Sequence, residues 1–319
     1  MLSEEVIRKN INNTIKETDF PMLGEKDRGK VRDNYTDKSS GRRVIVVTDR
    51  ISAFDVVLGT VPFKGQILNQ LAAFWFNETK DVAASHFISS PDPNVMVVKL
   101  CKPFPVEVVV RNYLTGSLWR ECEKGQDNYG LNLPAGMKKD QKFDFPIITP
   151  STKADSGHDM PMKRKDVLKI VPEEAYAKME EMALKLFKRG SEIASERGLI
   201  LVDTKYEFGE ASDGEILVID EIHTPDSSRF WIKESYERLL GKGKEQQMLD
   251  KEYVRQWLIK EKNYMGDGPA PEIDDDVKVK AARKYIEVYE LITGKQFEAA
   301  EGDAEARMRE SLIKSGLKV

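Results

Sequence analysis

Apolar residues recur at two spacings along the chain, helical and strand-like, in separate blocks. Val6, Ile7, Ile11 and Ile15 fall on one helical stripe and predict a short helix over residues 4–16. GKVRDNY and RRVIVVTDR flank the turn-rich TDKSSG, which predicts a hairpin built on Val31, Val44, Val46 and Val47. QILNQLAAFWFNETK reads as a helix, and VMVVKL and VEVVVRNYL read as strands separated by the proline-containing break CKPFP. These elements predict a small α+β lobe over residues 1–108, followed by a larger α+β lobe over 109–319.

From 125 to 161 periodicity fails and Gly, Pro, Asp, Lys and Thr dominate. Connections that long are usually functional. Beyond them, Ala175, Tyr176, Met179, Met182, Ala183, Leu186, Phe187, Ile193 and Ala194 share a helical stripe. Glu173 and Glu174 sit at its start and Gly198 beyond its end, as dipole and capping logic favour. LILVDTKYEFG and EILVIDEI, joined by EASDG, form the clearest hairpin. From 233 onward the pattern is mostly helical, with one segment opened by the acidic residues 274–276 and closed by Gly294.

Composition narrows the function classes. The chain has 50 Lys+Arg against 54 Asp+Glu, a net charge of -4, and so lacks the basic surface of a nucleic-acid binder. Local basic clusters can still grip small anions. Cys101 and Cys122 are too few for a disulfide scaffold, and the three histidines lack metal-ligand spacing, so zinc is not expected. The N-terminal segment lacks the apolar core of a signal peptide, and no run approaches the ~20 apolar residues of a membrane span. A cytoplasmic location with no membrane partner is the expectation.

The richest chemistry lies in LILVDTKYEFG. Strand alternation puts Asp203, Lys205 and Glu207 on one face and Thr204, Tyr206 and Phe208 on the other. Charges directly after an apolar run are costly to bury without partners, which points to a ligand or metal. ILVIDE likewise ends in Asp220 and Glu221, so a paired hairpin would let Glu207 and Asp220 share a magnesium ion with nucleotide phosphates. A solvated, salt-bridged hairpin end is the plainer alternative.

Arg111 and Ser117 in VRNYLTGS suit a phosphate or carboxylate. HTPDSSRF places Asp226 and Arg229 on a loop just after the acidic strand end. Lys153, Asp155 and His158 crowd the long irregular connection, and Ser52 and Asp55 follow the strand VIVV. GEKDRGK fits a P-loop spacing, but Val31 stands where Ser or Thr must reach magnesium and a strand follows in place of a helix. A strand–turn lid over nucleotide phosphates, using backbone and Lys30, fits better.

In order, GKVRD, SAFD, VVRNYLTGS, TKAD-x-GHD, LILVDTKYEFG and DEIHTPDSSRFW resemble the SAICAR synthetases (phosphoribosylaminoimidazole-succinocarboxamide synthases) over about residues 29–231. The family's usual second lysine in the lid strand is Arg32 here, which keeps the charge and changes its geometry. The resemblance implies a two-lobed α+β fold with antiparallel sheets and flanking helices, related to ATP-grasp enzymes and distantly to protein kinases, with ATP in the cleft. It implies a ligase that joins 5-amino-1-(5-phosphoribosyl)imidazole-4-carboxylate to L-aspartate at the expense of ATP. Asp203-x-Lys205-x-Glu207 followed by Asp220 parallels a kinase's catalytic Asp and Lys and then its metal positions.

On that basis Gly29, Lys30, Val31, Arg32 and Glu107 are assigned to ATP, and Glu207 and Asp220 to Mg²⁺. Lys205, Asp203 and Lys30 are assigned to catalysis. Ser52, Asp55, Arg111, Ser117, Lys153, Asp155, His158, Asp226 and Arg229, with Asp203 and Lys205, are assigned to the ribonucleotide and aspartate. A small-molecule kinase is the nearest rival, disfavoured by the lack of G-x-G-x-x-G and H-R-D. A nucleotide-binding module without ligase chemistry is disfavoured because Asp203, Glu207 and Asp220 are all present. Monomer and small homo-oligomer both stay open.

Overall fold

Val44, Ile45, Val46 and Val47 are all buried, so their strand must be covered on both faces. A computed structural model, which describes residues 2–54, 56–153, 159–249 and 252–319, shows how. The chain opens with helix α1 (Glu4–Lys9) and strands β1 (Glu25–Arg28), β2 (Arg32–Asp37) and β3 (Arg42–Val47). A small hairpin of β4 (Arg50–Ala53) and β5 (Val56–Thr60), helix α2 (Lys64–Glu78), and strands β6 (Phe87–Asp92) and β7 (Val95–Lys99) follow. The first sheet runs β1-β2-β3-β7-β6 and is antiparallel. The expected hairpin is β2–β3, with Tyr35 opposite Val44. The N-terminal helix is shorter than its stripe, because Asn10 takes the C-cap and turns its amide back onto the Val6 carbonyl at 2.9 Å.

The chain divides into two compact units: Met1–Asn77, His86–Leu100 and Asp250–Val319 in one, Glu78–Ser85 and Cys101–Leu249 in the other. The second unit holds β8 (Cys101–Tyr113), α3 (Gly116–Glu123), β9 (Lys142–Thr152), α4 (Arg164–Val167), α5 (Glu173–Glu196), β10 (Leu199–Ala211), β11 (Ile216–Ile219), β12 (Ser228–Ile232) and α6 (Lys233–Gly241). Its sheet runs β11-β10-β8-β9, and β12 also pairs with β10. Two features differ from the sequence expectation. β8 continues through the CKPFP segment, and β9 forms inside the stretch where periodicity fails. Pro146 and Pro150 disguise β9, and its place at the end of the sheet order is where proline is tolerated.

Helix α5 buries Tyr176, Met179, Met182, Ala183, Leu186 and Phe187, the predicted stripe, and packs on β10. Tyr206 of β10 hydrogen-bonds His223, whose ring lies against Gly190 of α5. That face of β10 therefore looks toward the helix, and strand alternation sends Asp203, Lys205 and Glu207 to the opposite face.

The remaining helices are α7 (Glu252–Lys262), α8 (Asp275–Thr293) and α9 (Ala304–Lys314). Helix α8 begins and ends where its acidic opening and Gly294, at φ 68°, require. These helices belong to the first unit, whereas the expected 109–319 lobe would hold them with the second. The reason is apolar burial. Met308 and Leu312 of α9 complete a core with Phe20, Leu23, Tyr35, Val44, Val46, Val95 and Val97. Arg307 adds a link to Asp92 at 2.9 Å.

Candidate active site

Asp203 faces an arginine on each side, because β10 pairs it with Arg111 of β8 and with Arg229 of β12. Its carboxylate accepts from Arg111 Nη1 at 3.0 Å and lies 3.3 Å from Arg229 Nε. Arg111 is buried, donating also to Thr149 Oγ1 at 2.8 Å and to Ser117 Oγ at 3.2 Å. Arg229 lies against Gly116, the first residue of α3, whose φ of 61° and missing side chain make room for the guanidinium. Arg111, Ser117 and Arg229 thus converge around Asp203.

Two residues along β10, Lys205 donates to Glu107 at 2.8 Å and to Glu207 at 2.6 Å. Lys153 holds the other oxygen of Glu207, and Ser151 donates to Glu107 at 3.3 Å. The cluster is layered. The side chains of Asp203, Glu107 and Glu207 are 6%, 8% and 9% exposed, while those of Arg229, Lys205 and Lys153 are 29%, 31% and 36% exposed. Buried carboxylates lie beneath accessible cations, so an anionic ligand meets positive charge that is already held in place.

The electrostatics follow from that layering. Burial alone would lower the Lys205 pKa, but Glu207, Asp220 and Glu107 outweigh it and raise the value, so the amine stays charged. Burial pushes Glu107 up, with Lys205 opposing. Asp220, at φ 69° just past β11, stands close enough to contribute to the field at Lys205. Glu207 and Asp220 thus both contribute to the field at Lys205, and they are the carboxylates that could take Mg²⁺. Among the described residues no group of three His, Cys, Asp or Glu side chains could hold a metal ion.

The other expected residues fall as follows. Gly29, Lys30 and Val31 form the turn between β1 and β2 in the first unit, and Arg32 opens β2 opposite Val47. Ser52 lies in β4 opposite Val57, also in the first unit. Asp226 sits half-buried in the turn before β12. Asp55, Asp155 and His158 lie outside the described residues. Glu107, assigned above to ATP, has its carboxylate on Lys205 and Ser151.

Sequence reasoning missed Thr149 and Ser151, and it read Gly116 only as part of a tight connection before Ser117. The alternation Ile147, Thr149, Ser151 was readable in β9, and the prolines on either side of it masked the strand. His223 is fully buried and 2.5 Å from Tyr206, and burial lowers its pKa to about 3, so it braces the loop as a neutral ring.

A sequence model of the SAICAR synthetase family matches residues 25–271, most of the chain. The chain belongs to the SAICAR synthetase family. A phosphoribosylaminoimidazole-succinocarboxamide synthase of Azobacteroides pseudotrichonymphae genomovar. CFP2 is 47% identical over 300 residues, covering 92% of each chain. Among solved structures, the SAICAR-synthase of Saccharomyces cerevisiae complexed with SAICAR is 34% identical, with a TM-score of 0.78 over 89% of this chain and 100% of that one. A type-2 SAICAR synthetase in complex with ADP is 28% identical, with a TM-score of 0.66 over 86% of this chain and 100% of that one. The antiparallel sheets and flanking helices of this SAICAR synthetase family member are those of its structural neighbours.

Proposed function

We propose that the arginine pair and the lysine–carboxylate cluster of the second unit carry out an ATP-driven amide ligation. The chain is an ATP-dependent ligase of purine biosynthesis, joining 5-amino-1-(5-phosphoribosyl)imidazole-4-carboxylate to L-aspartate and giving SAICAR, ADP and phosphate. A free carboxylate resists an amine, because its charge repels electron pairs and oxide is a poor leaving group. Attack of a carboxylate oxygen on the γ-phosphorus breaks the bond to ADP and forms an acyl phosphate. The aspartate amine then attacks the carbonyl carbon, the carbon–oxygen bond to phosphate breaks, and the nitrogen loses a proton.

Arg111, Ser117 and Arg229 hold the phosphate or carboxylate of the ribonucleotide, and Asp203 fixes both guanidinium groups. Lys205, kept charged by its neighbours, stabilises negative charge developing on the transferred phosphoryl group. Lys30, with the backbone of Gly29, Val31 and Arg32, is assigned to the triphosphate. Lys153 and Ser52 are assigned to the substrates, with Asp226 in the turn before β12, the strand that carries Arg229. Mg²⁺, held by Glu207 and Asp220, would neutralise the phosphate oxygens. Much of the rate comes from positioning three anions together, where effective molarities of about 10⁵ M or more are attainable.

The observation that carries this reading is the layer of accessible cations held on buried carboxylates along β10. No described helix is long and apolar enough to cross a membrane, and a cytoplasmic location is proposed. The test is phosphate release from ATP with magnesium and aspartate. Release should depend on the imidazole carboxylate and yield the amide; release of a stable phosphorylated product without need for aspartate would overturn the ligase reading in favour of a kinase.

A further inference from the structure

Arg50 is the one strongly cationic residue of the DRISAFD segment, and the ligation leaves it without a part. It is 2% exposed and makes four hydrogen bonds with one guanidinium group. Nε donates to the Lys30 carbonyl at 3.0 Å, Nη1 to the Lys16 carbonyl at 2.6 Å, and Nη2 to the Gly29 carbonyl at 2.9 Å and to Asp33 at 2.8 Å. The second oxygen of Asp33 accepts from the Thr18 amide at 2.8 Å and its hydroxyl at 3.0 Å. Thr48, two residues before Arg50, donates from its amide and its hydroxyl to the Val31 carbonyl, at 3.1 and 2.8 Å. Three consecutive carbonyls of the β1–β2 turn are thereby drawn to one side, onto residues 48–50.

Peptide planarity turns this into a statement about the opposite side. In a trans peptide the C=O and the following N–H point in opposite directions, and these peptides are trans. With the Gly29 and Lys30 carbonyls directed at Arg50, the amides of Lys30 and Val31 are directed away from it. Successive amides aimed the same way form an anion receptor. We propose that Arg50 is a positioning residue for the nucleotide lid: its grip on the Gly29 and Lys30 carbonyls aims the Lys30 and Val31 amides at the phosphates of a nucleoside triphosphate. The proposal rests on the reading of residues 29–32 as that lid. Lysine cannot substitute, because its donors radiate from a single nitrogen and do not span acceptors on residues 16, 29, 30 and 33.

The test uses the full chain with magnesium and ADP as the probe. Arg50→Lys should weaken ADP binding and raise the KM for ATP by about tenfold or more, with a smaller fall in kcat and unchanged ribonucleotide affinity. A general loss of structure would lower kcat and both affinities together, and that pattern overturns the proposal, as do ADP affinity and ATP KM within threefold of the parent. If Arg50→Lys does not fold, amide exchange in the unaltered protein decides: ADP should slow exchange at Lys30 and Val31, and unchanged exchange there overturns the proposal. Lys30→Ala separates the two levels. Should it bind ADP normally while ADP leaves exchange at residues 30 and 31 unchanged, the lid reading fails and the inference with it. Should it weaken binding while Arg50→Lys does not, the inference alone fails.

Discussion

Gly116 offers a measurable link between one missing side chain and ribonucleotide affinity. A Cβ at this position would stand closer than 3.0 Å to Arg229 Nη1, Nη2 and Cζ. The guanidinium of Gly116→Ala must therefore retreat by about 1 Å or more, a displacement that can cost ~10²-fold when it misplaces a substrate. The backbone contributes separately. At φ 61° an alanine adds strain of about 1 kcal/mol, which acts on stability and not on the site. Gly214 supplies the control, since at φ 82° it carries the same strain while a Cβ there meets nothing within 4 Å. The assay is denaturant unfolding together with kcat/KM for the imidazole ribonucleotide and KM for ATP. Both variants should lose similar stability, and only Gly116→Ala should lose about 10²-fold in ribonucleotide kcat/KM, with ATP KM unchanged. Normal ribonucleotide kinetics in Gly116→Ala, beside a stability loss equal to that of Gly214→Ala, would refute the argument.

Lys205→Met should lower turnover by about 10²-fold or more while ADP still binds, measured by phosphate release and calorimetry; turnover within fivefold of the parent would remove Lys205 from the chemistry. Glu207→Gln should raise the magnesium concentration for half-maximal rate by about tenfold, and an unchanged magnesium curve at normal turnover would end its metal assignment. His223 makes a pH prediction: its folded value of about 3 lies below the unfolded 6.5, so the unfolded chain binds the extra proton between them. Its contribution is full above about pH 6.5 and is lost as pH falls, by up to about 1.4 kcal/mol per unit. Urea unfolding at pH 7, 6 and 5 should show a steeper acid loss in the parent than in His223→Gln, and parallel curves would dismiss the buried ring as the cause.

Local patterns that bury one face were legible. The α5 stripe, the β10–β11 hairpin and both ends of α8 appear where spacing and capping residues put them. The common face of Asp203, Lys205 and Glu207 was legible too, because alternation along β10 is a local property. Two things were hidden for a physical reason. Strand β9 carries prolines that its place at the end of the sheet permits and that erase its signature. The placement of α9 depends on contacts between residues far apart in the chain, Met308 and Leu312 against Tyr35 and Val44, which no window of sequence contains. Gly116 was visible as a glycine, but its reason is the guanidinium of Arg229, more than a hundred residues away.

The site's order derives from one strand. β10 is paired with β8, β11 and β12, so the backbone ladder that holds the sheet also sets the spacing between Asp203, Lys205 and Glu207 and their partners. Arg229, Lys205 and Lys153 each hold a buried carboxylate while staying partly accessible, and Arg111 is buried beside Asp203. Removing one member costs twice. A buried partner left unpaired loses about 3–5 kcal/mol, and the surviving cation loses the hold that kept its geometry. Where carboxylates lie beneath cations in this way, a chain of net charge -4 can still present positive charge to an anion.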